Sequence, residues 1–147
     1  MKLRLQYKGV FDTKDLHDKL VKYFKAKEFA IMETAFKDKG DELEVETKFE
    51  QKTTSYCKCE GEYKINVWGL KKVEKDGKVM DQGRFQIDFK AEVKKDYEER
   101  FKSDKDKKMK NMYEKSKKKE IEGVEKLLIL TIFGADALLK KELGMDV

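Results

Sequence analysis

Polar and apolar residues alternate over residues 2–9, with Leu3, Leu5 and Tyr7 on one side and Lys2, Arg4, Gln6 and Lys8 on the other. That period of two predicts a half-buried strand. The spacing changes to three and four at Leu16, Leu20, Tyr23 and Phe24, which predicts an amphipathic helix over 13–27 with Asp12 or Thr13 as its N-cap. Alternation returns over 29–37 and again over 42–50, where Leu43, Val45, Thr47 and Phe49 point inward and Glu42, Glu44, Glu46, Lys48 and Glu50 outward. The Lys39-Gly40-Asp41 turn joins these two strands as a hairpin. In the extended region 53–73, Cys57, Cys59, Tyr63, Ile65 and Val67 share one face, and Gly61 and Gly69 are candidate bulges. Asp76-Gly77 is a hairpin signal, since this pair accepts the positive φ of a type I′ turn. The last strand carries Phe85, Ile87, Phe89, Ala91 and Val93 inward.

After Lys94 the pattern is helical. Tyr97, Phe101, Met109, Met112, Ile121, Val124, Leu128, Ile132, Ala135 and Leu139 mark one stripe, with a candidate N-cap near Ser103-Asp104 and a stop at Gly144. The pattern admits one helix or two across 97–142. The order β-α-β-β-β-β-α, with one wet and one dry face on most strands, predicts an α+β fold. Its core would be one curved antiparallel sheet of about five strands with a long C-terminal helix packed across it. The expected organisation is a single domain, 1–147, with a strand-helix-meander part over 2–96 and a helical part over 97–147.

Charged residues are 44% of the chain, yet nine Phe, six Tyr and one Trp require a packed interior. The N-terminus lacks the apolar stretch of a signal peptide, and the longest uncharged run, 127–135, is far short of the roughly 20 residues that span a bilayer. Cytoplasmic localisation is the expectation. The net charge of +5 is concentrated: residues 102–119 hold nine lysines against Asp104, Asp106 and Glu114, a net of +6, so the rest sums to −1.

The order of a strand, a helix, an antiparallel meander and a long C-terminal helix resembles the START-like superfamily, also called the helix-grip or birch-pollen-allergen-like fold. The resemblance spans nearly the whole chain as an order of elements, without a short motif. The sequence departs from the family by one helix, rather than two, after the first strand, and by fewer strands thereafter. The resemblance implies a cavity between sheet and last helix that holds an apolar ligand such as a lipid, sterol or polyketide, and it carries over no catalytic residues.

Candidate chemistry is sparse. Cys57 and Cys59 would need further Cys or His ligands to hold a metal, and His17 is the chain's one histidine; both thiols read as small core hydrophobes. His17, in a charged helix, reads as solvent-exposed. The acidic strand face Glu42, Glu44, Glu46, Glu50 reads as a solvated sheet face balanced by cross-strand lysines. No nucleotide-binding, nucleophile-elbow or zinc-protease motif occurs. No cofactor and no metal are expected, and an enzyme is not favoured, with a START-like enzyme as a third option that no residue specifies.

Two functional readings follow. In the first, a small apolar ligand is bound and carried between sheet and C-terminal helix, lined by Tyr7, Phe49, Tyr63, Phe85, Phe89, Leu128 and Ile132, with tyrosine hydroxyls fixing its orientation. In the second, Lys107, Lys108, Lys110, Lys115, Lys117, Lys118 and Lys119 dock on nucleic acid, an anionic membrane surface or an acidic partner. Lysine dominates this tract and Tyr113 is its one aromatic, so bidentate readout and base stacking are not evident there. The segment 127–133 (LLILTIF) is apolar nearly all round. Ile129, Leu130 and Phe133 therefore need a cover: the 13–27 helix as the first expectation, otherwise a second copy in a homodimer or an apolar ligand.

Overall fold

The computed structural model describes residues 1–145, apart from the side chains of residues 104 and 105. Its elements are β1 (Lys2–Phe11), α1 (Thr13–Ala26), β2 (Ala30–Asp38), β3 (Glu42–Lys52), β4 (Cys57–Lys75), β5 (Lys78–Lys95), α2 (Asp104–Ser116) and α3 (Lys118–Glu142). The expected helical part reaches Val147; Asp146 and Val147 lie outside the described residues. The five strands form one antiparallel sheet in the order β1-β5-β4-β3-β2, so the fold is α+β as the alternation predicts.

Registers explain the two faces. Leu3, Phe89, Tyr63 and Thr47 form one rung across β1, β5, β4 and β3, and Leu5, Ile87, Ile65 and Val45 form another. These inward rungs meet the helices. Between them the rung Arg4-Asp88-Lys64-Glu46, and beside them the rung Lys2-Lys90-Glu62-Lys48, face the other way. Helix α1 starts at the Asp12 cap, whose carboxylate accepts from the Asp15 N–H at 3.1 Å. The Asp81 carboxylate of β5 accepts from the Thr13 N–H at 3.2 Å and pairs with Lys72, which ties the far end of the sheet to the start of α1. Along α1, Leu16, Leu20 and Phe24 are buried, and the Phe24 ring stacks on Phe49 at 4.3 Å between centroids. Helix α3 buries Ile121, Val124, Leu128, Ile132, Ala135 and Leu139.

Three sequence expectations change. Gly61 is not a bulge. It pairs regularly with Phe49 and Ala91, and a Cβ there would collide with the Lys90 carbonyl and the Phe49 ring, so the glycine makes room for that ring. The register instead shifts between Trp68 and Lys71 on β4, next to Gly69, and between Glu33 and Ala35 on β2. Second, residues 97–103 are not helical. Asp96 takes a φ of 53° and its carboxylate accepts from the Arg100 and Phe101 N–H groups, which closes a turn. Third, Met109 and Met112 leave the expected stripe, although of the one helix or two that the pattern admits the chain forms two, with Ser103 at the expected cap. Ser103 and Asp106 form a capping box for α2, and the chain breaks at Lys117 before α3. Because α2 turns Tyr113 and Glu114 toward Tyr56, Met109 and Met112 face solvent at 61% and 66% exposure instead of joining the buried stripe.

Candidate functional site

The seven positions expected to line a cavity lie where sheet and helices meet. Phe49, Tyr63, Phe85, Phe89, Leu128 and Ile132 are fully buried and Tyr7 is half-buried. Their side chains pack on one another and on α1: Tyr63 lies 6.0 Å from Phe89 and 6.1 Å from Phe24 between ring centroids. Two open depressions, of about 570 and 780 Å³, both lie on the opposite face of the sheet. The larger-walled one follows the rung Lys2, Lys90, Glu62, Lys48 and Met32; the other surrounds Trp68.

His17 is not the freely exposed residue expected. It is half-buried, and its Nδ1 lies 3.0 Å from the Tyr63 hydroxyl. Period-3.6 reasoning places it beside the buried stripe, and only the tertiary position of Tyr63 reveals the bond. Burial pushes the Tyr63 phenol up to about 12. The neighbouring Thr47 hydroxyl is buried without a hydrogen-bond partner among the described residues. Both cysteines are buried free thiols, as the strand pattern predicts. Burial pushes their pKa values up, which keeps them protonated and unreactive.

The polar tract and the apolar segment form the most extensive candidate surface. Lys107, Lys108, Lys115, Lys117, Lys118 and Lys119 are exposed and Lys110 is half-buried. Lys117 reaches Glu120 at 3.7 Å and Lys118 reaches Glu122 at 3.9 Å, distances that leave both cations largely solvated. Among the described residues, Lys108, Lys115 and Lys119 make no ion pair. One helix further on, Leu127, Ile129, Leu130 and Phe133 are 51%, 43%, 58% and 50% exposed. The first expected cover, α1, does not hide them. It reaches α3 through Tyr23, whose hydroxyl donates to the Thr131 carbonyl at 2.7 Å, on the flank of this row. Between Lys126 and Lys141 the one acidic residue of α3 is Asp136, which is buried and paired with Lys140 at 3.0 Å. The solvent side of this segment is therefore apolar in its middle, with Lys126 at one end beside Glu125 and Lys141 at the other beside Glu142, which pairs with Lys19.

No helix is long and apolar enough to cross a membrane among the described residues. No three His, Cys, Asp or Glu side chains among them converge as a metal site. No protein-family model, no curated protein and no solved structure matches this chain.

Proposed function

We propose that this protein is a non-enzymatic docking module that lies on an anionic lipid surface through the solvent side of α2 and α3. The supporting observation is the half-exposed row Leu127, Ile129, Leu130 and Phe133 set between lysines. Fully burying such side chains is worth about 1.5–3 kcal/mol each, so removing the exposed half of four from water contributes about 4 kcal/mol. Each lysine near an anionic surface adds about 1 kcal/mol. Met109 and Met112 supply further adaptable apolar contact beside Lys108 and Lys115. An interfacial helix has this character: an apolar side that enters the headgroup boundary and lysines that reach back to the phosphates. A homodimer suits the same row less well. A two-fold axis near Leu130 would set the Lys119 end of one helix against the Lys141 end of its partner.

Carriage of a small apolar ligand is the second reading. The sheet order β1-β5-β4-β3-β2 with α3 across it is compatible with the helix-grip arrangement of START-like proteins. The space such a ligand would take is filled by Tyr63, Phe89, Leu128 and Ile132, so a ligand enters only as α3 lifts. On a membrane, the docked helix is the one that would lift.

Vesicle flotation combined with sedimentation equilibrium tests the first reading. Binding to phosphatidylserine vesicles but not to phosphatidylcholine vesicles, by a protein that is monomeric without lipid, supports it. A stable dimer that ignores both vesicles assigns the row to a second copy and overturns it.

A further inference from the structure

Trp68, the chain's one tryptophan, lies on the sheet face opposite the helices, where its register partners Glu42 and Arg84 are charged. In its rung, Lys8 of β1, Arg84 of β5, Trp68 of β4 and Glu42 of β3 stand side by side. The next outward rung is Gln6, Gln86, Asn66 and Glu44. The indole is 38% exposed and, with Gln6, Lys8, Arg84 and Gln86, borders an open depression. Among the described residues neither Lys8 nor Arg84 makes an ion pair, and neither is over the indole ring. Gln6 and Gln86 share a side-chain hydrogen bond at 2.9 Å, which holds one amide edge in place.

The backbone fixes the indole from below. Trp68 immediately precedes the β4 irregularity, where Gly69 takes a φ of 62°. A Cβ at Gly83 would come within 2.6 Å of the Trp68 carbonyl, so the glycine lets β5 approach there. Bulges of this kind re-aim a side chain beside a binding site. Beyond the bulge the β4–β5 ribbon carries Lys71 and Lys75, both exposed, past the end of β3.

We infer that this face binds a single-stranded nucleic-acid segment, with one base stacked on Trp68 and its flanking phosphates at Lys8 and Arg84. An aromatic ring on an antiparallel sheet beside unpaired cations is the arrangement that stacks unpaired bases. Gln86 and Asn66 stand in the next outward rung. The Gln86 amide accepts from Gln6 and donates to Asp88, which leaves its second N–H and the Asn66 amide for the edge of a base. The depression is open and cannot enclose a free nucleotide, which favours a polymer whose phosphates continue to the ribbon lysines. Glu42 stands on the far side of Trp68 from Arg84, which gives the backbone one favourable direction of approach.

The test uses the lone indole as its own reporter. A short oligouridylate is titrated into the 147-residue chain at low salt while Trp68 emission and the anisotropy of a labelled copy are followed. Saturable quenching that tracks the anisotropy is expected. Trp68→Ala weakens the anisotropy-measured affinity about tenfold. Arg84→Ala lowers the slope of log affinity against log salt by about 0.7, and reversing Lys115 and Lys119 to Glu leaves the quenching in place. Circular dichroism melts confirm that the variants are folded. Binding without a change in Trp68 emission, quenching abolished by the Lys115 and Lys119 reversals, quenching matched by uridine monophosphate at equal concentration, or no binding at low salt would each overturn the inference.

Discussion

The Tyr23 hydroxyl donates to the Thr131 carbonyl at 2.7 Å and lies directly over Gly134, where a Cβ would collide with it. This clasp joins α1 to α3 and needs both the phenol and the missing side chain. Tyr23→Phe removes one hydrogen bond and is expected to cost about 1 kcal/mol. Gly134→Ala gains about 1 kcal/mol of helix propensity but displaces the phenol, so alone it is near neutral. In the Tyr23→Phe background the contact to the hydroxyl is gone and the ring edge, 3.2 Å away, has to give by only a few tenths of an ångström. The same alanine is therefore more favourable there than in the wild type. A double-mutant cycle by urea denaturation measures this; strict additivity would show that the clasp does not couple the helices.

Asp81 is the second tie. Burial pushes its carboxyl up, but the bonds from Lys72 and Thr13 outweigh this and hold it below the usual range. A carboxyl depressed on folding contributes stability that is present above its unfolded value, about 3.9, and is lost as pH falls through the folded value. Asp81→Asn is expected to cost about 1–2 kcal/mol at neutral pH, less than a buried pair because Lys72 is largely solvated. The gap between wild type and variant closes below about pH 4. A gap that persists there would assign the effect to packing.

Much of this was legible in the chain. Five strands, the Asp76-Gly77 turn, the 13–26 helix and the stop at Gly144 follow from period, turn chemistry and capping. What was not legible depends on neighbours distant in sequence. Gly61 looks like a bend until Phe49 is placed across it, and His17 looks solvated until Tyr63 arrives from β4. Met109 and Met112 keep the period of a buried stripe, yet the break at Lys117 and the inward turn of Tyr113 leave them outside. Trp68 was the overlooked signal: an indole at an outward position of an alternating strand has no core to fill.

The tyrosines predict alkaline behaviour. Burial raises Tyr63 to about 12 and also raises Tyr23 and Tyr56, the last with help from its bond to Glu114. A phenol raised on folding contributes stability that is present below its unfolded value, about 10, and is lost as pH rises through the folded one. Stability is therefore expected to fall from about pH 10 to about pH 12. Phenolate absorbance should show a late group of tyrosines that ionises with unfolding. Simple titration of all six near pH 10 would contradict the burial of these three.

Gly61→Ala sets a methyl group against the Phe49 ring and the Lys90 carbonyl. Backbone cannot yield as a side-chain tip can, so a loss of about 3 kcal/mol is expected. Phe49→Leu relieves one of the two collisions and should recover part of the loss that Gly61→Ala causes in its background. Equal losses in both backgrounds would mean that the Phe49 ring does not matter at this site.

The central claim is that the exposed row on α3 meets lipid. The most direct measurement is co-sedimentation with phosphatidylserine-containing vesicles, comparing wild type with a Leu130→Glu, Phe133→Glu variant at low and high salt. The account predicts binding by wild type that weakens with salt as the lysine contribution is screened, and at least a tenfold loss in the variant, whose thermal melt stays intact because both positions are solvent-exposed. Equal binding by the two proteins would show that the lysines act without the apolar row, and would contradict the account.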